Sequence, residues 1–260
     1  MDVSIVSISA LVVERFRNRV FTKAAFVAAF VLSSVAFATS CPAPQTLSPL
    51  LKIDRVIDGD TVKLDEGSRV RLTSFNTFEL KDSGWKRDYA LRAKRRAIEV
   101  LPKSIQVTPW PAQKDRYGRL LGNLWMGEAY LGEVLVAEGL ALSVSVPPEN
   151  RLVRCLLSTE WGARMSRIGV WSLDQLPQPV KTLSSGGFQH RVGMVTQILD
   201  QTTVILDGKL RVIFPEVDVS VRTGTRYEVR GWVSRSPESL RSDWPWTLKL
   251  KDLNNRVRVF

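Results

Sequence analysis

The stretch LKIDRVIDGDTVKLDEGSRVRLTSF, residues 51–75, decides how the rest of the chain is read. Three runs rich in β-branched and aliphatic residues, Leu51–Ile57, Thr61–Leu64 and Val70–Phe75, are separated by Asp58-Gly59 and Glu66-Gly67. Such runs favour strands, and an acidic residue followed by glycine favours a tight hairpin in which glycine takes a positive φ. Residues 51–75 therefore predict an antiparallel meander. Working outward, Trp85 to Leu101 sets Trp85, Tyr89, Ala93 and Ala97 at helical spacing, with Arg92, Lys94, Arg95 and Arg96 on the remaining surface. Ile105–Val107 and Leu120–Trp125 read as strands around the polar segment Lys114–Arg119. Leu131–Glu138 is a short helix stopped by Gly139, and Pro147-Pro148 introduces a longer helix with Leu152, Leu156, Trp161 and Met165 facing inward. Strands first and helices after them predict an α+β, mainly β unit over residues 51–175, a five-stranded barrel with helical additions.

Residues 188–260 alternate like strands throughout, at Val192–Leu199, Thr203–Leu206, Leu210–Phe214, Tyr227–Val233, Leu248–Lys251 and Arg256–Phe260. They predict a small all-β, OB-like domain. Pro177, Pro179 and Ser184-Ser185-Gly186-Gly187 make 176–187 a linker, and the Pro-rich residues 41–50 a tether. No internal repeat stands out. Before the tether, Arg15, Arg17, Arg19 and Lys23 precede an uncharged run, Ala24 to Ala38, that ends Ala36-Phe37-Ala38. A basic start, an apolar centre shorter than the ~20 residues of a spanning helix and a small-x-small end read as an export signal over 1–40 rather than a membrane anchor. The expected location is therefore outside the cytoplasm, periplasmic, secreted or anchored on the outer side. Membrane contact is expected only through that segment, if it stays uncleaved, or through lipid on Cys41. Cys41 and Cys155 leave three chemistries open: a lipid on Cys41, a bond between the two in an oxidising compartment, or two thiols with Cys155 buried in a helix face.

The chain has 37 Lys and Arg against 26 Asp and Glu, a net charge of +11, which favours a polyanionic partner. It has a single histidine, His190, and two cysteines. These counts exclude paired-histidine nucleases, His-rich metal sites and a four-cysteine zinc site. Catalysis then rests on carboxylates and arginines, with or without a hard, oxygen-liganded metal. Three clusters offer that chemistry. Asp58-Gly59-Asp60-Thr61 places two carboxylates at a turn, where one can bind a hard cation, although taken alone a plain hairpin is the better reading. Arg71 with Asn76-Thr77-Phe78-Glu79 gathers a cation, neutral oxygens and a carboxylate, although a surface ion pair between Arg71 and Glu79 would look the same. Asp115-Arg116-Tyr117-Gly118-Arg119 is a tight polar loop that, alone, is most simply a turn.

Taken in order, Val56–Leu64, Val70-Arg71-Leu72, Thr77-x-Glu79 and Asp115–Arg119 resemble the staphylococcal nuclease (thermonuclease) family. Val134–Ala141 and Ile168–Ser172 extend the resemblance to about residues 51–175. It implies an OB-fold barrel with helices and a Ca2+-dependent phosphodiesterase acting on DNA or RNA. Carried over residue by residue, it implies Asp60 as a calcium ligand, Thr77 as a carbonyl ligand, Glu79 as the group that positions or activates water, and Arg71 and Arg119 as the phosphate grip. Arg116 and Tyr117 fall beside that grip as substrate contacts. Three departures stand out. Asn76 stands where the family has a second metal carboxylate, Phe78 where it has proline, and Leu142–Pro148 lacks the aromatic residues that stack on a bound base. The function expected is an exported calcium-dependent nuclease weakened at the metal. The alternative is a catalytically weakened or inactive nucleic-acid-binding module that keeps the fold. In the last block, Arg211, Arg226, Arg230, Arg235, Arg241, Trp232, Trp244 and Trp246 can pair charge with stacking on single strands. No spacing fixes them on one surface, so most of the tryptophans are expected in the core and the arginines on a solvated face. His190 is expected to serve packing or the surface only.

Overall fold

The computed structural model describes residues 41–43, 46–147, 151–217, 221–238 and 243–259. The expected export segment and Arg241 lie outside these. The first meander forms as β1 (Leu51–Asp58), β2 (Thr61–Leu64) and β3 (Arg69–Leu72), followed by the short β4 (Phe75–Asn76) and helix α1 (Gly84–Val100). Then come β5 (Ser104–Lys114), β6 (Leu120–Met126), β7 (Ala129–Tyr130), α2 (Leu131–Ala137), β8 (Leu142–Ser143) and α3 (Arg151–Met165). Strand order β3-β2-β1-β5-β6, with β3 and β6 pairing parallel at Val70↔Leu120 and Leu72↔Gly122, closes a five-stranded OB-type barrel. Val62, Leu64, Val70, Leu72, Ile105 and Leu124 fill it from alternating positions.

Gly59 departs from the expected reason for a glycine. Its φ is not positive. A Cβ there would instead run into Thr77 Cγ2 at 2.6 Å and Ala93 Cβ at 2.8 Å, so glycine lets the β1–β2 turn lie against both the site segment and α1. Small residues on the other side of that contact, Ala90, Ala93 and Ala97, let α1 come close in turn. The motifs near Gly139 and Ile168-Gly169 are also structural. Both glycines have positive φ, a Cβ on either would strike the other segment's backbone, and Val170 N donates to Gly139 O at 3.0 Å.

The long helix is phased differently from the expectation. Leu152 and Leu156 face inward, but Trp161 and Met165 are 46% and 67% exposed. At ~100° per residue, nine positions put residue 161 on the face opposite Leu152, whereas Val153, Glu160 and Ala163 share its side. The proline-rich start is held in place. Ser48 N donates to Val107 O and Val107 N to Ser48 Oγ, while Leu47 packs on the core. Cys41 is bonded to Cys155 with Cα atoms 5.1 Å apart, so of the three chemistries left open the disulfide is the one present, and it takes the sulfur that a lipid on Cys41 would need.

Beyond it, β9 (Gln178–Pro179), β10 (Gly187–Ile198), β11 (Thr203–Leu206), β12 (Leu210–Ile213), β13 (Arg226–Arg235), β14 (Trp246–Lys249) and β15 (Arg256–Val259) build the second sheet. Its ring is β10-β11-β12-β14-β13, closed by β13–β10, with β12 and β14 parallel. This is the same ring order, and the same single parallel pair, as the first barrel. A repeat that the sequence did not reveal is thus present in the topology. Val180 and Leu183, from the segment between the barrels, are buried in the second core with Val204, Leu206, Tyr227 and Leu248.

The two barrels are clasped by buried charges. Arg230, fully buried on β13, gives two 2.6 Å hydrogen bonds to Glu160 of α3 and one of 2.7 Å to Ser143 O. Arg164 reaches both oxygens of Glu228, which also meets His190 Nε2 at 2.6 Å. Burial alone would raise Glu160 and Glu228, but Arg230 outweighs it for the first, and His190 with Arg164 for the second, so both carboxyls stay below their ordinary range. Burial also pushes His190 below its usual value, against the pull of Glu228. Asn255 and Ser145 add a reciprocal pair of bonds. The expectation that the C-terminal arginines form a solvated face fails at Arg230, and His190 is a buried member of this clasp.

Candidate active site

The first cluster lies at the mouth of the first barrel. Asp58 Oδ1 accepts from Asp60 N at 3.1 Å, which folds the turn and aims Asp60 inward. Asp60 is 6% exposed. Its Oδ2 accepts from Thr77 N at 2.8 Å and Thr77 Oγ1 at 2.9 Å, and its Oδ1 lies 3.0 Å from Arg71 Nη1. Burial, reinforced by the neighbouring Asp60 carboxylate, pushes Asp58 up to about 7.

Arg71 reaches the same place from β3, opposite Thr61 in the ladder. Its Nη1 donates to Leu72 O at 2.6 Å and its Nη2 to Asn76 Oδ1 at 2.7 Å. The oxygens of Asp60 and Asn76 therefore converge on one cationic group. Asn76 Nδ2 donates to Thr77 O at 2.6 Å, so this carbonyl is capped by the amide. The segment is delivered by Ser74, whose φ of 68° is costly for a residue with a Cβ, and by β4, which pairs with β8 at Asn76↔Leu142. Arg71 pairs with Asp60 and Asn76 rather than with Glu79, so the surface ion pair weighed from sequence does not form. Glu79 is exposed, and its carboxylate has no hydrogen bond or ion pair among the described residues.

Asp115 organises the third cluster. Its Oδ1 accepts from Tyr117 N and Arg119 N, and its Oδ2 accepts from Arg119 Nε at 2.8 Å. These bonds outweigh burial and hold Asp115 low. They fix the guanidinium through Nε, and its two Nη groups make no hydrogen bond among the described residues. Tyr117 lies under both arginines, 4.8 Å from Arg116 and 5.5 Å from Arg119, and Arg116 Nη2 donates to its hydroxyl. Asp115 carries no substrate role in the sequence reading; its position opening the loop was the available signal for its bracing role.

One cleft of about 840 Å³ holds all three clusters. Asp60, Arg71, Asn76, Thr77, Glu79, Arg116, Tyr117 and Arg119 all line it. Its far wall comes from the second barrel, from Ser185–Gln189, Trp232 and Lys251. Sequence reasoning missed this wall. A signal existed: on β13 Trp232 falls in phase with the polar Arg226, Glu228 and Arg230, not with the core residues Tyr227, Val229 and Val233.

Closed ring order, flanking helices and a charged cleft at the barrel mouth define an OB-fold domain of mainly β, α+β architecture. Residues 69–173 match the family described as staphylococcal nuclease homologue. The chain is 28% identical over 124 residues to the thermonuclease of Staphylococcus intermedius, covering 46% of this chain and 74% of that protein. It is 27% identical over 157 residues to the thermonuclease of Staphylococcus hyicus, covering 56% and 93%. The first barrel with its helices is thus similar to the staphylococcal nucleases, over the residues matched.

Proposed function

We propose that this protein is an exported, calcium-dependent phosphodiesterase that hydrolyses DNA or RNA by in-line attack of water. The observation that carries this reading is the shared cleft. The carboxylate of Glu79, unpaired among the described residues, lines the same space as two guanidinium groups, on the domain that matches the nuclease family. Hydrolysis of a phosphodiester builds negative charge on the phosphate oxygens, so cations preset around that point lower the barrier most. Arg119, steadied by Asp115, keeps its Nη pair for a phosphate, and Arg71 supplies a second planar fork. Glu79, with no competing partner, orients the attacking water and takes its proton. Arg116 and Tyr117 form the adjacent rim on which substrate lies.

The donor set suits a hard cation. It offers oxygens only, and Asp60 Oδ1 and Asn76 Oδ1 already face one positive group. Asp60 and Asn76 would hold calcium once Arg71 turns to phosphate, with the Thr77 carbonyl joining when the Asn76 amide leaves it. Bound there, calcium supplies Lewis acidity and charge neutralisation at the phosphate. One carboxylate and one amide make a weaker site than two carboxylates, because the neutral oxygen contributes less to a divalent ion. Export is supported by the Cys41–Cys155 disulfide, which persists in oxidising compartments, and by the basic-then-apolar start of the chain.

Degradation of single-stranded DNA with calcium or with EDTA tests the proposal. Cleavage is expected with millimolar calcium and none with chelator. Asn76→Asp, which adds a charge beside Asp60, is expected to lower the calcium needed for half-maximal rate about ten-fold, or ~1.4 kcal/mol. A folded protein that binds DNA and never cuts it is the binding module instead. An unchanged calcium midpoint in Asn76→Asp removes position 76 from the metal.

A further inference from the structure

We propose that Trp232, braced by Phe188, is a base-stacking platform that the second barrel adds to the cleft, so that the preferred substrate is nucleic acid with unpaired bases. The inference rests on the nuclease reading for its substrate class but on residues outside the segment that matches the family. Four observations carry it. First, Trp232 is 45% exposed although its neighbour Val233 is buried, and it lines the cleft that holds Arg71, Glu79 and Arg119. Second, the indole is held in place. Phe188 stands opposite it in the β10–β13 ladder, the rings meet edge to face at 5.2 Å, and Phe188 itself packs against the first barrel's core. A planar group fixed before binding loses little conformational freedom when a base stacks on it.

Third, cations besides Arg71 and Arg119 line the same cleft: Arg69, Lys81 and Lys86 from the first domain and Lys251 from the second. An apolar ring among lysines suits a chain that alternates bases with phosphates, and it does not suit an apolar peptide. Fourth, the first barrel's aromatic rings in the cleft are already engaged: Phe78 is half-buried against Trp85 and Tyr89. Residues 142–146 bring Val144 and Val146 to the cleft, and Tyr117 is already in contact with Arg116 and Arg119. In a duplex each base already stacks on its neighbours, so only unpaired bases can offer a face to Trp232.

The test uses the whole protein and a fluorescently labelled oligothymidylate, single-stranded or annealed to its complement, with binding read by anisotropy in EDTA and cleavage read with calcium. Trp232→Ala is expected to weaken binding of the single strand about ten-fold and of the duplex less than about two-fold, consistent with loss of one stacked base. In cleavage it should raise KM by a similar factor while kcat changes little. Trp232→Phe should recover most of the loss. Trp161→Ala removes a tryptophan of matching exposure, 46%, outside this cleft and should leave both readouts unchanged. If the wild type cuts DNA and Trp232→Ala binds and cuts like it, the platform is overturned and the nuclease reading stands. If the wild type binds without cutting and Trp232→Ala weakens single-strand binding alone, the nuclease reading falls and the platform stands. Equal losses on single strand and duplex overturn base stacking.

Discussion

The two barrels share a ring order and a parallel closing pair, and they even share a short pattern at their first hairpins. Asp58-x-x-Thr61-Val62-x-Leu64 in the first corresponds to Asp200-x-x-Thr203-Val204-x-Leu206 in the second. In both, the leading aspartate folds the turn the same way. Asp58 Oδ1 accepts from Asp60 N, and Asp200 Oδ1 accepts from Thr202 N. What differs is the chemistry mounted on that frame. Where the first barrel has Asp60, the second has Thr202. Where Thr61 faces Arg71 across the ladder, Thr203 faces Ile213. The comparison separates two roles that the sequence presents as one motif. Asp58 belongs to the turn, and Asp60 with Arg71 belongs to the site. The second barrel instead contributes buried charge to the clasp and an aromatic wall to the cleft.

The clasp gives the largest expected effect. Arg230→Ala leaves Glu160 buried without its partner, an imbalance that costs about 3–5 kcal/mol and should lower Tm by roughly 10 °C. Because Arg230 also holds Ser143 O, on the strand paired with Phe75-Asn76, turnover should fall too. Thermal unfolding followed by calorimetry decides it, and an unchanged Tm would mean the barrels stand independently.

Next comes the site itself. Arg71→Ala should cut kcat about 100- to 1000-fold, near the loss seen when one preset charge-stabilising donor is removed. Arg211→Ala, on the matching strand of the second barrel, should leave kcat unchanged. Similar losses in both would erase the functional difference between the barrels. The two variants need only the same single-stranded cleavage assay and a check of the folded state.

The smallest effect is in pH. Burial holds His190 below its ordinary value, so below about 6.5 the unfolded chain binds a proton that the folded one resists, and stability falls as pH drops. Glu160 and Glu228 add to the fall further down, because carboxyls held low in the fold lose their contribution below about 4.5. Asp58, pushed up to about 7, takes up its proton in the fold first and opposes this fall between about pH 7 and 4. The His190 share is therefore the difference between the wild type and His190→Gln, which should lose less stability than the wild type from pH 7.5 to 5 and keep the acid limb. A slope unchanged by His190→Gln would assign it to other groups.

Much of the first barrel could be read from local pattern. Strand alternation, the glycine turns and the alanine face of α1 each act over a few residues, and the dispersed motifs around Asp60, Arg71, Glu79 and Arg119 stood out by order and spacing. Even there, the pattern does not give the phase of α3, because Trp161 and Met165 are apolar enough for a core and yet are exposed. Gly59 reads locally as a turn former, whereas the close approach of Thr77 and Ala93 is what requires it. Arg230 looked like a surface cation, since nothing local announces that Glu160, 70 positions away in sequence, lies buried to receive it.

The sequence by itself determined the mainly β architecture and the basic balance, because these follow from composition and from periodicities of two and 3.6 residues. Only the tertiary structure decided that Asp60 and Asn76 both turn to Arg71, that the Glu79 carboxylate has no partner among the described residues, that Cys41 meets Cys155, and that Trp232 lines the cleft. Each of those is a contact between residues far apart along the chain. Such contacts depend on how closed barrels and helices stack, which no window of neighbouring residues encodes.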